Sequence, residues 1–203
     1  MVMIIPIEKF NEDNIREGIP EAFFGAKIKS IVLDENVLEN QRKGKILKDW
    51  ACKPPCVGNL LFHGAPGRGK TYAAIALMYF LEKFDKIPWH EMRFVNIAEL
   101  NQQWLANFGN YSENYARLTF LKSVKVVVFD DLGLRKPSEG FLDFLHCLID
   151  ARVNSPALIN IYTTNLTGKE FNDLLGPRLV SRISGGVKIE FKSKDFRQMN
   201  TKD

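Results

Sequence analysis

Eight residues constrain this chain more than any others: Gly64, Ala65, Pro66, Gly67, Arg68, Gly69, Lys70 and Thr71. They match the pattern G-x-x-x-x-G-K-[ST] in full and fall between an apolar run and a helical pattern, the context that gives the pattern its meaning. Glycines at 64, 67 and 69 let the backbone curl so that successive N–H groups turn inward as an anion nest. The helix that follows adds the positive end of its dipole. In such a loop Lys70 reaches the β- and γ-phosphates of ATP, and the Thr71 hydroxyl takes one Mg²⁺ position. A loop of this kind needs a strand before it and a helix after it, which points to an α/β fold.

The rest of the chain agrees with that demand. Apolar runs alternate with helical patterns in the order of a parallel sheet with crossover helices. Strands are predicted at 58–63, 93–97, 124–129, 157–162 and 187–191, with 124–129 the continuous β-branched run of a central strand. Helices are predicted at 71–84 and 138–153, the second capped by Ser138, with two short helical pieces at 169–175 and 178–183. Within 100–121 the spacing puts Trp104, Phe108 and Tyr111 on one helical face, interrupted at Gly109-Asn110. An apolar share of 45% over 203 residues supplies one α/β core and not two. Residues 1–17 read as an arm, and 18–203 as the domain.

Several function classes fall away. No apolar run approaches the roughly 20 residues of a membrane span, and the apolar start lacks the basic leader of a signal peptide. Three cysteines, Cys52, Cys56 and Cys147, give an odd count and no disulfide framework, which suits a reducing, cytoplasmic setting. Cys52, Cys56 and His63 lack the fourth ligand of structural zinc. The formal charge of +4 is too small to mark a nucleic-acid binder by itself. A basic cluster of Arg42, Lys43, Lys45, Lys48 and Lys53 reads as a solvated helix face. No Asn-Lys-x-Asp sequence is present to read guanine.

A phosphate loop needs a carboxylate near its metal. Asp130 and Asp131 follow the central apolar run, at the carboxyl end of a strand where open α/β sheets bind ligands. Asp130 is the expected Mg²⁺ ligand, and Asp131 the group that orients or deprotonates attacking water. Thr163-Thr164-Asn165 ends the next buried run, and an amide there can touch the γ-phosphate or the water. Tyr111, Tyr115 and Arg117 combine rings with a base, as single-strand DNA binders do.

In this order the motifs resemble those of AAA+ ATPases: the phosphate loop, Phe-Asp130-Asp131-Leu-Gly, Thr-Thr-Asn165-Leu and Arg178-Leu-Val-Ser-Arg182. More narrowly they are similar to DnaC/DnaI-type helicase loaders and their IstB-type transposition relatives. Further matching stretches are Gly18-Ile-Pro20, Ile149-Asp150-Ala-Arg152 and Lys194-Asp195-Phe196-Arg197, so the likeness runs from about residue 18 to 197. The resemblance implies a three-layer P-loop sheet without a separate helical lid, and ATP hydrolysis with Mg²⁺. It makes Asp130 the Walker B ligand, Asn165 sensor 1 and Arg182 a finger acting on a neighbouring subunit, with Arg178 on the same helix face. It further implies self-association into a ring or filament, single-stranded DNA and a replicative helicase as partners. Two departures stand out. Only about 17 residues precede the matching region, too few for the helicase-gripping domain of typical loaders, and Asp131 stands where many relatives carry Glu. A transposition regulator and a nucleotide-gated module with little turnover are the alternative readings.

Overall fold

In the computed structural model the described residues are 18–52, 58–107, 109–133 and 137–197. The whole arm, with Lys53, Cys56 and Phe108, lies outside them. Five parallel strands form one sheet: β1 (Gly58–His63), β2 (Met92–Asn96), β3 (Val126–Asp130), β4 (Ile159–Thr164) and β5 (Val187–Glu190), in the order β2-β3-β4-β1-β5. Between and before them run α1 (Val37–Ala51), α2 (Lys70–Asp85), α3 (Ile97–Ala106), α4 (Tyr111–Ser123), α5 (Glu139–Val153) and α6 (Gly168–Ile183).

The three layers follow from side-chain alternation along the strands. Leu60, Phe62, Val126, Val128, Ile159, Ile161 and Ile189 face α1 and α2, where Leu47, Trp50, Ala73, Leu77 and Leu81 complete one core. Leu61, Val127, Phe129 and Tyr162 face the other way, onto α3 to α6, with Phe141, Leu145, Leu148, Leu179 and Ile183. Both faces of the central strands are therefore dry, which is why these strands read as unbroken apolar runs. Side chains cap the helix starts: Asn36 accepts from the Leu38 and Glu39 amides, Asn96 from Ala98 and Glu99, and Ser138 from Phe141. Thr167 and Glu170 form a reciprocal capping box on α6.

Strand β1 and the two short pieces within α6 match the sequence reading closely. The helix breaks at Gly176, whose φ of 77° and ψ of 155° lie outside helical space, immediately before Pro177. Strand ends differ by one or two residues elsewhere. Strand β3 starts at Val126 and includes Asp130, while β4 runs through Thr163 and Thr164. Ile97 opens α3 and does not end β2, because Asn96 caps that helix. The shared face expected of Trp104 and Tyr111 is corrected: they sit on separate helices. The Trp104 ring packs 4.9 Å from Phe144, while Tyr111 is 86% exposed. After β5 the chain returns over β1 and forms one parallel bridge, Asp34 to Lys192.

Candidate functional site

The loop from His63 to Lys70 leaves the carboxyl end of β1 and enters α2 with Gly69 in the left-handed region. Its glycines are required by what crosses over them. A Cβ on Gly64 would lie 2.5 Å from the Phe191 carbonyl oxygen, and one on Gly67 would lie 1.9 Å from Asp195 Oδ1. The segment that crosses is clasped to the loop. Phe196 N donates to Gly67 O at 3.0 Å, and Ser193 Oγ donates to Arg68 O at 2.8 Å. The Arg68 guanidinium donates back to Ser193 O.

Inside the loop, the Lys70 ammonium donates to the carbonyls of Gly64 and Ala65, each at 2.7 Å. Burial lowers its pKa to about 8, against the pull of Asp131 and Asp130 in the other direction. A cation held this weakly protonated is poised to gain from an anion placed beside it.

The carboxylates stand opposite. Asp130 ends β3, is 5% exposed, and its Oδ1 accepts from Thr71 Oγ1 at 2.9 Å and Thr163 Oγ1 at 2.7 Å. Burial raises its pKa, while the bonds from Thr163 and Thr71 hold it down. The next residue, Asp131, has a φ of 61°, a left-handed conformation that Asp tolerates better than most side chains. Its amide donates to Thr163 Oγ1 at 2.8 Å, and its Oδ1 accepts from Asn165 Nδ2 at 2.7 Å. Burial, and then the neighbouring charge of Asp130, raise its pKa too. Strands β3 and β4 are paired neighbours, which brings these two ends together.

Lys70, Thr71, Asp131, Thr163 and Asn165 line one cleft of about 530 Å³, with Arg68 and Arg197 at its polar side and Phe23, Ile31, Val32, Tyr72 and Phe196 as its apolar wall. The volume and mixed lining are those of a small-molecule site. A glycine cradle, a buried ammonium and a hydroxyl–carboxylate pair fit a polyphosphate with a divalent cation. Thr71 and Asp130 are the two protein oxygens suited to that cation, few enough to leave positions for phosphate and water.

The other residues singled out from the sequence lie elsewhere. Arg178 and Arg182 occupy the second half of α6, bonded to α5, and neither borders the cleft. Tyr111 and Tyr115 are 86% and 70% exposed on α4. Arg117 of the same helix donates to Gln103 Oε1 at 2.7 Å and lies 4.0 Å from Glu113. Sequence reasoning assigns no role to Thr163, Ser193 or Asp150. Thr163 was visible as part of Thr-Thr-Asn, but only three-dimensional pairing shows that its hydroxyl joins both aspartates.

Known proteins share this fold. Solved structures of DnaI (TM-score 0.72, 20% identity, covering 86% of this chain and 95% of that one) and of the DnaC helicase loader (TM-score 0.70, 20% identity, 85% and 100%) share the fold. It is the five-stranded parallel P-loop fold of AAA+ proteins. Among curated proteins, the uncharacterized protein YdaV of Escherichia coli (strain K12) is 26% identical over 141 residues, 68% of this chain but only 55% of its own length. The replicative helicase loader DnaC of Buchnera aphidicola subsp. Acyrthosiphon pisum (strain APS) is 26% identical over 195 residues, covering 90% of this chain and 74% of that protein. A family model matches residues 55–183, which hold the phosphate loop, both aspartates, Asn165 and both arginines of α6. On that match the chain belongs to the family of IstB-like ATP binding proteins.

Proposed function

We propose that this protein is an ATPase that loads a replicative helicase or otherwise assists DNA replication, assembling on single-stranded DNA as a ring or filament. In this reading the loop 64–71 and Lys70 hold the β- and γ-phosphates, and Thr71 with Asp130 hold Mg²⁺. Mg²⁺, when bound, neutralises charge shared between those phosphates. Asp131, steered by the Asn165 amide, orients the attacking water and accepts its proton. Arg182, with Arg178 beside it, reaches the nucleotide of a neighbouring copy. Tyr111 and Tyr115 offer stacking faces to bases, with Arg117 close to them.

One observation carries the reading: phosphate-loop lysine, threonine, Asp131 and the Asn165 amide line a single cleft, with Asp130 bonded to that threonine behind it, while the two arginines of α6 pair with α5 and do not border the cleft. In this reading the cleft is completed by the α6 arginines of a neighbouring copy. The helicase-loading assignment is supported by the likeness to DnaC.

The test is complementation. Lys70→Ala and Arg182→Ala should each turn over poorly alone, while their mixture regains activity, because the first donates Arg182 to the intact loop of the second. A trans arginine is worth about 10³–10⁵ in rate in phosphoryl-transfer enzymes. No recovery, together with a specific activity independent of protein concentration, would refute the shared site. The match to the IstB-like family favours a second reading, an ATPase that marks target DNA for transposition. Preference for duplex over single-stranded DNA, with no capture of a hexameric helicase, would select it.

A further inference from the structure

Arg178 and Arg182 are four residues apart on α6, so their side chains share one face. Both guanidinium groups converge on a single carboxylate of α5. Arg178 Nη2 donates to Asp150 Oδ2 at 2.9 Å, and Arg182 Nε stands 3.0 Å from Asp150 Oδ1. Arg182 Nη1 also donates to Asn154 Oδ1, at 3.2 Å, at the C-terminal cap of α5.

The backbone of Arg182 is fixed as well. Its carbonyl accepts from Asn59 Nδ2 at 2.9 Å, and Asn59 Oδ1 accepts from Asn160 Nδ2 at 3.0 Å. Asn160 Oδ1 in turn accepts from Nε of Arg152, a guanidinium with no measurable exposure. Arg182 is thus held at its main chain by a buried polar chain, and at its head by two side chains of α5. A lone surface ion pair leaves a long side chain free to change rotamer; here Asp150 and Asn154 both restrict the guanidinium, on a backbone that is itself fixed.

These ties orient the arginines without consuming them. Nη2 of Arg182, with Nε and Nη1 of Arg178, keeps no partner among the described residues. Arg178 is 72% exposed and Arg182 34%, against 21% for Asp150. One negative charge faces two positive ones, so the cluster stays cationic and its free donors remain available to an anion.

We propose that Asp150 is a positioning residue: it holds Arg182, and with it Arg178, in the pose from which they act on the nucleotide of a neighbouring copy. The proposal rests on the reading of Arg182 as a residue acting in trans. Fixing a flexible side chain in its competent pose raises the fraction of subunits ready to act.

The experiment separates donor from acceptor. In the mixture of Lys70→Ala with Arg182→Ala, Asp150→Asn is added to one partner at a time and the ATPase rate is measured. Added to the Lys70→Ala donor, it is expected to lower the recovered rate on the order of tenfold, with KM for ATP unchanged. Added to the Arg182→Ala acceptor, whose own arginine is not used, it is expected to change the rate less than twofold. Asp150→Glu in the donor should restore part of the loss. Asn154→Ala in the donor, a milder change that leaves the ion pairs intact, should lower the rate about threefold. Equal losses in donor and acceptor would show a structural role, and a donor as active as before, or more active, would show that Asp150 does nothing or restrains the arginines. Either result overturns the proposal. The parent mixture reports on the shared site itself: without recovery there the shared-site reading fails and this proposal with it, whereas recovery there with an indifferent Asp150→Asn sinks the positioning role alone.

Discussion

Thr163→Val tests how the carboxylate pair is held. The two side chains have nearly the same shape, so the change removes a hydroxyl and little else. That hydroxyl is buried, donates to Asp130 Oδ1 at 2.7 Å and accepts from the Asp131 amide at 2.8 Å. Losing a hydrogen bond to an ionised group costs about 1.5–3 kcal/mol, and a buried amide left without an acceptor costs about 1–3 kcal/mol. The methyl group that replaces the hydroxyl returns roughly 1 kcal/mol of apolar burial. The expected net loss of stability is about 2–5 kcal/mol. Thr163→Ser keeps both bonds and removes one methyl group, so it should cost only about 1 kcal/mol. The pH dependence has a definite sign. Burial raises the pKa of Asp130 above 3.8 and the Thr163 bond opposes this, so the valine variant raises it further. A raised carboxylate pKa penalises the ionised folded state at higher pH, and that penalty fades as pH falls through the folded pKa. Urea unfolding should therefore separate valine variant from parent more above the folded pKa of Asp130 than below it. A valine variant no less stable than the serine variant, or a difference independent of pH, would refute this account of Asp130.

Three further outcomes are expected. Asp131→Asn should leave the affinity for a fluorescent ATP analogue near that of the parent and slow steady-state turnover, since Asp130 and Thr71 keep their bond; weakened Mg²⁺-dependent binding would reverse the roles given to the two aspartates. Lys70, with a pKa of about 8, loses its charge as pH rises, so ATP affinity should fall about tenfold between pH 7 and pH 9 as binding takes up a proton, and a flat profile would show that Lys70 does not meet the phosphates. Replacing Tyr111 and Tyr115 together by Ala should leave the melting temperature nearly unchanged, because both rings are exposed, and weaken single-strand binding by about 1–3 kcal/mol per stacked base; unaltered binding would remove them from any DNA surface.

The sequence was most legible where one local demand acted alone. The β1–loop–α2 unit could be placed closely because glycine geometry, an apolar strand and a helix start all coincide there. The misplaced C-terminal ends of β3 and β4 share one cause, polar residues inside strands. Asp130, Thr163 and Thr164 look like loop residues, yet Asp130 pairs with Asn96 of β2, and Thr163 and Thr164 pair with Phe62 and His63 of β1, so the strands run on through them. Val124 looks like a strand residue but stands at the C-terminal cap of α4. Ile97 reads as the apolar end of a strand, whereas the Asn96 side chain caps the helix that Ile97 opens. The grip of Asp150 on two arginines 28 and 32 positions away leaves no trace in local pattern, and neither does the burial of Arg152 among main-chain carbonyls of Leu121, Val124 and Ile159.

The clasp over the phosphate loop also bears on how the protein is made. Arg68 leaves the ribosome 125 residues before Ser193, the residue to which it is doubly bonded. During synthesis the loop is exposed on the nascent chain while its cover does not yet exist. A nascent chain can therefore fold β1 and α2 against early partners long before its nucleotide cleft has a wall at Phe196. Nucleotide capture becomes a late event, timed by translation of residues 193–197. Ribosome-bound chains stalled with residue 192 just emerged should bind a labelled ATP analogue far more weakly than chains with residue 197 fully outside the exit tunnel. Equal binding by the two would show that the clasp is dispensable for capture.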